Sequence, residues 1–253
     1  MIKKIILYEK PTKIKIVIQT PYKEKIWIKV KDANRKNTYY TKRYSFVEGE
    51  ETFFVMMPQA PDVVLVGIYN DNNGMLRNDT SFKATITSEP YNVPPLKASK
   101  KTKSFIRFAQ EFADECGYLS ASPQGHVYKS NNGRFRIDYF DIIRSKNSGK
   151  VIKTPARISQ VSGKIEVSAE AFRKYTIPMR MAILLHEYSH YYLNKNPSNE
   201  VEADLNGLRL YLKLGYPKID IYNVFLNVFK TSPSEQNKRR FKKLDNLVKN
   251  FVR

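Results

Sequence analysis

The stretch Ile177-Pro178-Met179-Arg180-Met181-Ala182-Ile183-Leu184-Leu185-His186-Glu187-Tyr188-Ser189-His190-Tyr191-Tyr192-Leu193-Asn194 decides how this chain is read. Pro178 suits the first helical position, where its missing N–H would be unpaired in any case. Apolar residues follow on nearly every side, the pattern of a buried helix. His186 and His190 stand about one turn apart, so their imidazoles share a face. Both can then bind one zinc ion at roughly 2.0–2.1 Å per bond. Glu187, on an adjacent part of the helix, suits a general base for water activated there. A histidine pair at this spacing is often only packing. Here two of the chain's three histidines bracket a glutamate, which favours a metal site.

A third ligand is expected just downstream, in Asn196-Pro197-Ser198-Asn199-Glu200-Val201-Glu202-Ala203-Asp204. Asn196 as N-cap and Pro197 as first residue open a second helix, which runs to Leu214 and stops at Gly215. The short connection makes the two helices antiparallel neighbours. Matched levels in such a hairpin set Glu200 opposite His190 and Asp204 opposite His186. Glu200 is therefore the expected third ligand, and Asp204 the carboxylate that orients His186 through its other ring nitrogen. Glu202 points elsewhere and is the fallback ligand if the register slips.

His-Glu-x-x-His followed by Glu-x-x-x-Asp resembles the gluzincin zinc metallopeptidases, over roughly residues 100–217. The resemblance implies a zincin-like α+β fold with a small sheet, an active-site helix and a glutamate-bearing helix. It also implies Glu187 as general base, with His186, His190 and Glu200 holding Zn2+. Nine residues separate His190 from Glu200, which is short for that family and leaves little room for a substrate-binding subdomain. More weakly, residues 191–197 and 204–208 resemble metallopeptidase-like proteins of crAss-like tailed bacteriophages. That implies a virion component, of the neck, tail or portal-associated ring, whose metallopeptidase-like domain serves mainly as a scaffold. The partners expected are a protein or peptide substrate and, on the phage reading, a larger assembly.

The net charge of +20 favours acidic partners. Nucleic acid is one, but a lysine-rich chain is often simply solvated, and nucleic-acid binding is not the favoured role. Cys116 is the sole cysteine, so no disulfide framework exists; its apolar helical neighbourhood marks it as core. Residues 1–10 begin like a signal peptide, but Glu9 and Lys10 end a short apolar run with no small-residue cleavage site. No run is long enough for a membrane span. The expectation is a soluble protein not secreted by a signal peptide, found in a host cytoplasm and, on the phage reading, in the virion.

Residues 1–95 read as strands. Ile14, Ile16 and Ile18 alternate with polar residues, as do Ile26, Ile28 and Val30. Further strands are expected at 38–46, 51–57, 62–69 and 81–87, separated by turns at 20–22, 32–34, 48–50, 58–61 and 71–74. This spacing predicts a β-sandwich of immunoglobulin-like general architecture, read as a docking or binding module. A basic, proline-led linker is expected at 96–104 and a metallopeptidase-like domain at 105–253. That domain opens with Phe105, Phe108, Ala109, Phe112, Ala113 and Cys116 at helical spacing. Two hairpins follow, turning at Asn131-Asn132-Gly133 and Ser162-Gly163, so a small, largely antiparallel sheet precedes the active-site helix. His126 is a lone strand histidine and a weak candidate as an extra ligand. After Pro217 come helices at 219–229 and, capped by Ser232 or Ser234, a last one. Its apolar stripe is Phe241, Leu244, Leu247, Val248 and Phe251. Lys238, Arg239, Arg240, Lys242 and Lys243 form its basic face.

Overall fold

Ile14, Ile16, Ile18, Ile26, Ile28 and Val30 are all inaccessible to solvent. Their even spacing keeps phase across Pro21, so one strand with one buried face runs through the expected turn. The computed structural model describes residues 1–70, 82–145, 147–231 and 234–251, with 227–231 as backbone alone. The chain is mixed α and β and divides into two compact units, Met1–Pro94 and Pro95–Arg253.

The first unit holds β1 (Ile2–Ile6), β2 (Thr12–Asp32), β3 (Thr38–Met57), β4 (Val63–Asn70) and β5 (Lys83–Pro90) in one antiparallel sheet. β2 pairs with β3 along most of its length. On its other side it pairs with β5 over residues 12–19 and with β4 over residues 26–32. The strands expected at 38–46 and 51–57 are one strand, because Gly49, at φ +70°, lets the chain pass the anticipated turn without breaking the ladder. The signal-like start forms β1, whose Met1 ammonium donates to the Ile68 carbonyl at 2.7 Å. The turn expected at 71–74 lies outside the described residues.

The second unit begins earlier than the expected linker allows. The Ser99 hydroxyl accepts from the Thr102 N–H and starts α1 at Lys100 (Lys100–Glu115), so residues 100–104 are helical. Then come β6 (His126–Lys129), β7 (Arg136–Phe140), β8 (Ala156–Ile158), β9 (Ile165–Ser168) and α2 (Ala169–Phe172). The helices α3 (Ile177–Tyr192), α4 (Glu200–Lys213), α5 (Lys218–Thr231) and α6 (Glu235–Asn250) complete the unit. The sheet order is β6-β7-β9-β8. Both expected hairpins form, but β7 and β9 join in parallel, which places β8 at an open edge.

α3 runs through the core, stacking Tyr188 on Phe105 of α1 with ring centroids 4.1 Å apart. Its N-cap is Thr176, one residue earlier than Pro178 suggested. Arg180, fully buried on α3, donates to the carbonyls of Ala113 (2.8 Å), Arg173 (3.0 Å) and Phe172 (3.2 Å). It thereby satisfies the open carbonyl ends of α1 and α2.

Candidate metal centre

The helical turn that separates His186 from His190 brings their Nε2 atoms to 3.1 Å. α4 supplies the third group. Glu200 Oε2 lies 3.6 Å from His186 Nε2, and Oε1 lies 3.5 Å from His190 Nε2. Three donors bound tetrahedrally at about 2.05 Å stand about 3.3 Å apart, so this spacing suits a single small cation. The chemistry of the donor set agrees. His190 Nδ1 lies 2.6 Å from the Pro197 carbonyl, which fixes its proton there. His186 Nδ1 is buried 3.0 Å from Asp204 Oδ1, though off the line of a well-formed hydrogen bond. With the Nδ1 of each ring turned to an oxygen, both Nε2 atoms face each other and the Glu200 carboxylate, an arrangement a cation satisfies. Among the described residues these three form the group able to hold a metal ion.

α4 begins later than Asn196 and Pro197 suggested. Its N-cap is Asn199, whose side chain accepts from the Glu202 N–H at 3.1 Å. This leaves Pro197 in the loop, with its carbonyl free to meet His190. Asn194 clamps the connection, donating to the Asn199 carbonyl at 3.1 Å and accepting from Asn206 at 3.0 Å. Glu202 accepts from the Lys195 N–H at 3.1 Å and stays outside the cluster. His126 stands beside Tyr128 on β6 and is also outside it.

What sets α4 at the right depth is a residue without a side chain. A Cβ on Gly207 would stand 2.9 Å from the His186 nitrogen and 3.0 Å from both its Cα and the Leu185 carbonyl oxygen. The two backbones touch beside the first histidine, and only glycine permits that.

The sequence sets Arg240 on the basic face of the last helix, outside the expected site. It is buried. Its Nε lies 2.7 Å from Asp204 Oδ2, and its Nη2 lies 3.0 Å from both Asp204 Oδ1 and Glu200 Oε2. The signal was present: Arg240, Leu244 and Val248 recur every four residues and are the buried positions of α6.

The charges interlock. Burial alone would raise the Asp204 carboxyl, but His186 and Arg240 outweigh it and hold it below the usual range. Burial disfavours charge on His186, yet Asp204, Glu187 and Glu200 push its pKa up to about 8. His190 is pushed down by burial and by its charged neighbour His186. Burial raises Glu187 to about 7, against the attraction of His186 and a hydrogen bond from the Ile158 N–H.

That last bond joins the helix to the sheet edge. Pro155 and Ser159 bond to Ser168 and Lys164 of the neighbouring strand, so Arg157 between them also faces that strand, and the backbone groups of Ala156 and Ile158 point away from the sheet. Glu187 takes one of them. A cleft of about 300 Å³ lies along this edge, lined by Ala156, Ile158, His186, Glu187, Glu200 and Arg240 among others. No family profile, curated protein or solved structure matches this chain.

Proposed function

We propose that this chain is a zinc-dependent, gluzincin-like metallopeptidase, in which His186, His190 and Glu200 hold the ion and Glu187 is the general base. The observation that carries this is the spacing of the three donor atoms, 3.1 to 3.6 Å, beside a buried carboxylate that lines the same cleft. Zinc bound there supplies a Lewis acid that activates water and polarises a carbonyl. Glu187, with a pKa of about 7, accepts the proton of the attacking water and returns it to the leaving amine. Asp204 orients His186, and Arg240 holds Asp204 and Glu200 in place. The open side of β8 offers an extended peptide a strand to pair with. On this reading the second unit is zincin-like, and the first is an immunoglobulin-like sandwich that docks the enzyme.

A second reading follows from Arg240. Its ion pairs tie α6 to the ligand-bearing helix α4, so a bound zinc would also staple α3, α4 and α6. The chain would then be a structural part of a phage particle, as the residues resembling phage proteins favour.

The test is zinc content followed by peptidase activity. The wild type should hold zinc near one equivalent, and His190→Ala and Glu200→Ala should lose it. Glu187→Gln should keep the metal while hydrolysis of an unstructured protein falls by about 10²–10⁴. Zinc without hydrolysis favours the staple. No zinc after reconstitution sinks the enzyme and the staple alike, and leaves a scaffold without a metal.

A further inference from the structure

The outer face of the first unit carries a second constellation, independent of the metal centre. Register places Tyr69, Trp27 and Arg43 in one row across β4, β2 and β3. The next row is Ile2, Gly67, Lys29 and Thr41; the one after it is Lys4, Leu65 and Lys31. Rows on one face lie about 6.8 Å apart. The aromatic rings sit side by side, Trp27 and Tyr69 having centroids 5.7 Å apart. Gly67 makes room for this. A Cβ there would fall 2.5 to 2.8 Å from the Tyr69 ring, so the ring lies across bare backbone. Thr41 accepts from the Trp27 indole N–H at 2.8 Å and fixes the ring's tilt.

Cations frame these rings. Lys29 Nζ lies 5.0 Å and Arg43 Cζ 4.6 Å from the Trp27 centroid. Lys4 and Lys31 stand two rows on, both exposed. The positions in these rows include no acidic residue. Burial and the neighbouring Lys31 ammonium lower the Lys29 pKa, a crowding of like charge that an anion would relieve.

We propose that this face binds single-stranded nucleic acid, with bases stacking on Trp27 and Tyr69 and phosphates meeting Lys4, Lys29, Lys31 and Arg43. The charge is complementary, and a side-by-side aromatic pair flanked by cations is the chemistry that holds unpaired bases without reading their sequence. Lys29 and Arg43 both have long, flexible stems and swing from the indole to phosphates, freeing the ring for a base. A protein partner with an acidic surface would use the cations but leave the rings idle.

Trp27 is the sole tryptophan, so its emission reports on this face alone. The full chain is titrated with a 12-nucleotide oligouridine, read by tryptophan quenching and by the anisotropy of a fluorescein-labelled copy. Saturable quenching is expected, with affinity falling as salt rises. Trp27→Ala and Tyr69→Ala should each weaken binding about tenfold or more. Lys29→Gln, which leaves the rings in place, should reduce the salt slope by about 0.7. Reversing Lys238, Lys242 and Lys243 to Glu on α6 should change little. Absent quenching overturns the proposal. So does binding that survives Trp27→Ala but is lost on α6 reversal, which would put the contact elsewhere. Inorganic polyphosphate matching the oligonucleotide, with no effect of Trp27→Ala, would mean a bare anion site. Quenching by a neutral oligosaccharide and not by oligouridine would mean a sugar platform.

Discussion

Arg240 carries the positive charge that lets two carboxylates share a buried corner. Asp204 is almost wholly enclosed, and a buried carboxylate without a partner costs several kcal/mol. Replacing Arg240 by Met keeps the packing and removes the charge. Zinc affinity should then fall about 10- to 100-fold, as for other groups that hold a ligand in place, which a competitive chelator titration would measure. An unchanged affinity would mean that Arg240 serves α6 alone. Protons compete for the same corner. In the metal-free protein Glu187 sits at about 7 and His186 at about 8, each above its unfolded value of about 4.3 and about 6.5. The folded state therefore binds more protons across that range. These two groups stabilise it fully below their unfolded pKa values, and that stability is lost as pH rises through 7 and 8. Zinc needs the ligands unprotonated, so its effect runs the other way. Metal-free protein should show a falling Tm from pH 5 to 8, while the gap to zinc-loaded protein widens. Glu187→Gln should flatten the lower part of the metal-free decline. A gap that narrows with pH would contradict this assignment of protons.

At the scale of elements, the centre depends on how closely α3 and α4 approach. Gly207→Ala puts a methyl group against the His186 backbone, and neither backbone can yield without moving its helix. The substitution should cost about 1–3 kcal/mol by overpacking. It should also impair zinc binding, although position 207 offers no ligand; thermal melts and metal analysis would show both. Normal zinc content would mean that α4 can shift and still present Glu200. Much of this arrangement was legible. Two histidines one turn apart, a short connection and an acidic helix place Glu200 and Asp204 opposite the rings by geometry alone. Asn199 displaced Asn196 as N-cap because the competing asparagine and Pro197 stay in the loop, a choice that local propensity does not make. Arg180 and Arg240 were harder to see. An arginine reads as surface unless the carbonyls or carboxylates it will meet are known, and those lie far away in sequence. The parallel pairing of β7 with β9 was hidden for the same reason, since hairpin signals speak only for adjacent strands.

Over the whole molecule, the two units present different surfaces. One offers a cleft beside a sheet edge, the other a row of rings and cations on a sheet face. Among the described residues no helix is long and apolar enough to cross a membrane. The alternation of the first unit's strands was plain from sequence, but their lengths were not. Turn-like residues such as Pro21 and Gly49 sit inside continuous strands because the ladder resumes beyond them, Gly49 passing through in the left-handed region. The pairing of β2 also sets a timetable. Residues 12–19 pair with residues 83–90, and residues 2–6 with residues 63–67, so neither pairing can form until distant chain arrives. Loop closure must precede those contacts, which makes such sheets slow folders, on the order of milliseconds to seconds. The β2–β3 hairpin should form first and β5 should close last. In stopped-flow refolding, weakening the β5 edge with Ile86→Ala should speed unfolding and barely change the refolding rate. A large drop in the refolding rate would instead put that long-range contact in the nucleus. Until β5 arrives, one side of the Ile14, Ile16 and Ile18 strand stands open, a sticky interval in the life of every new chain.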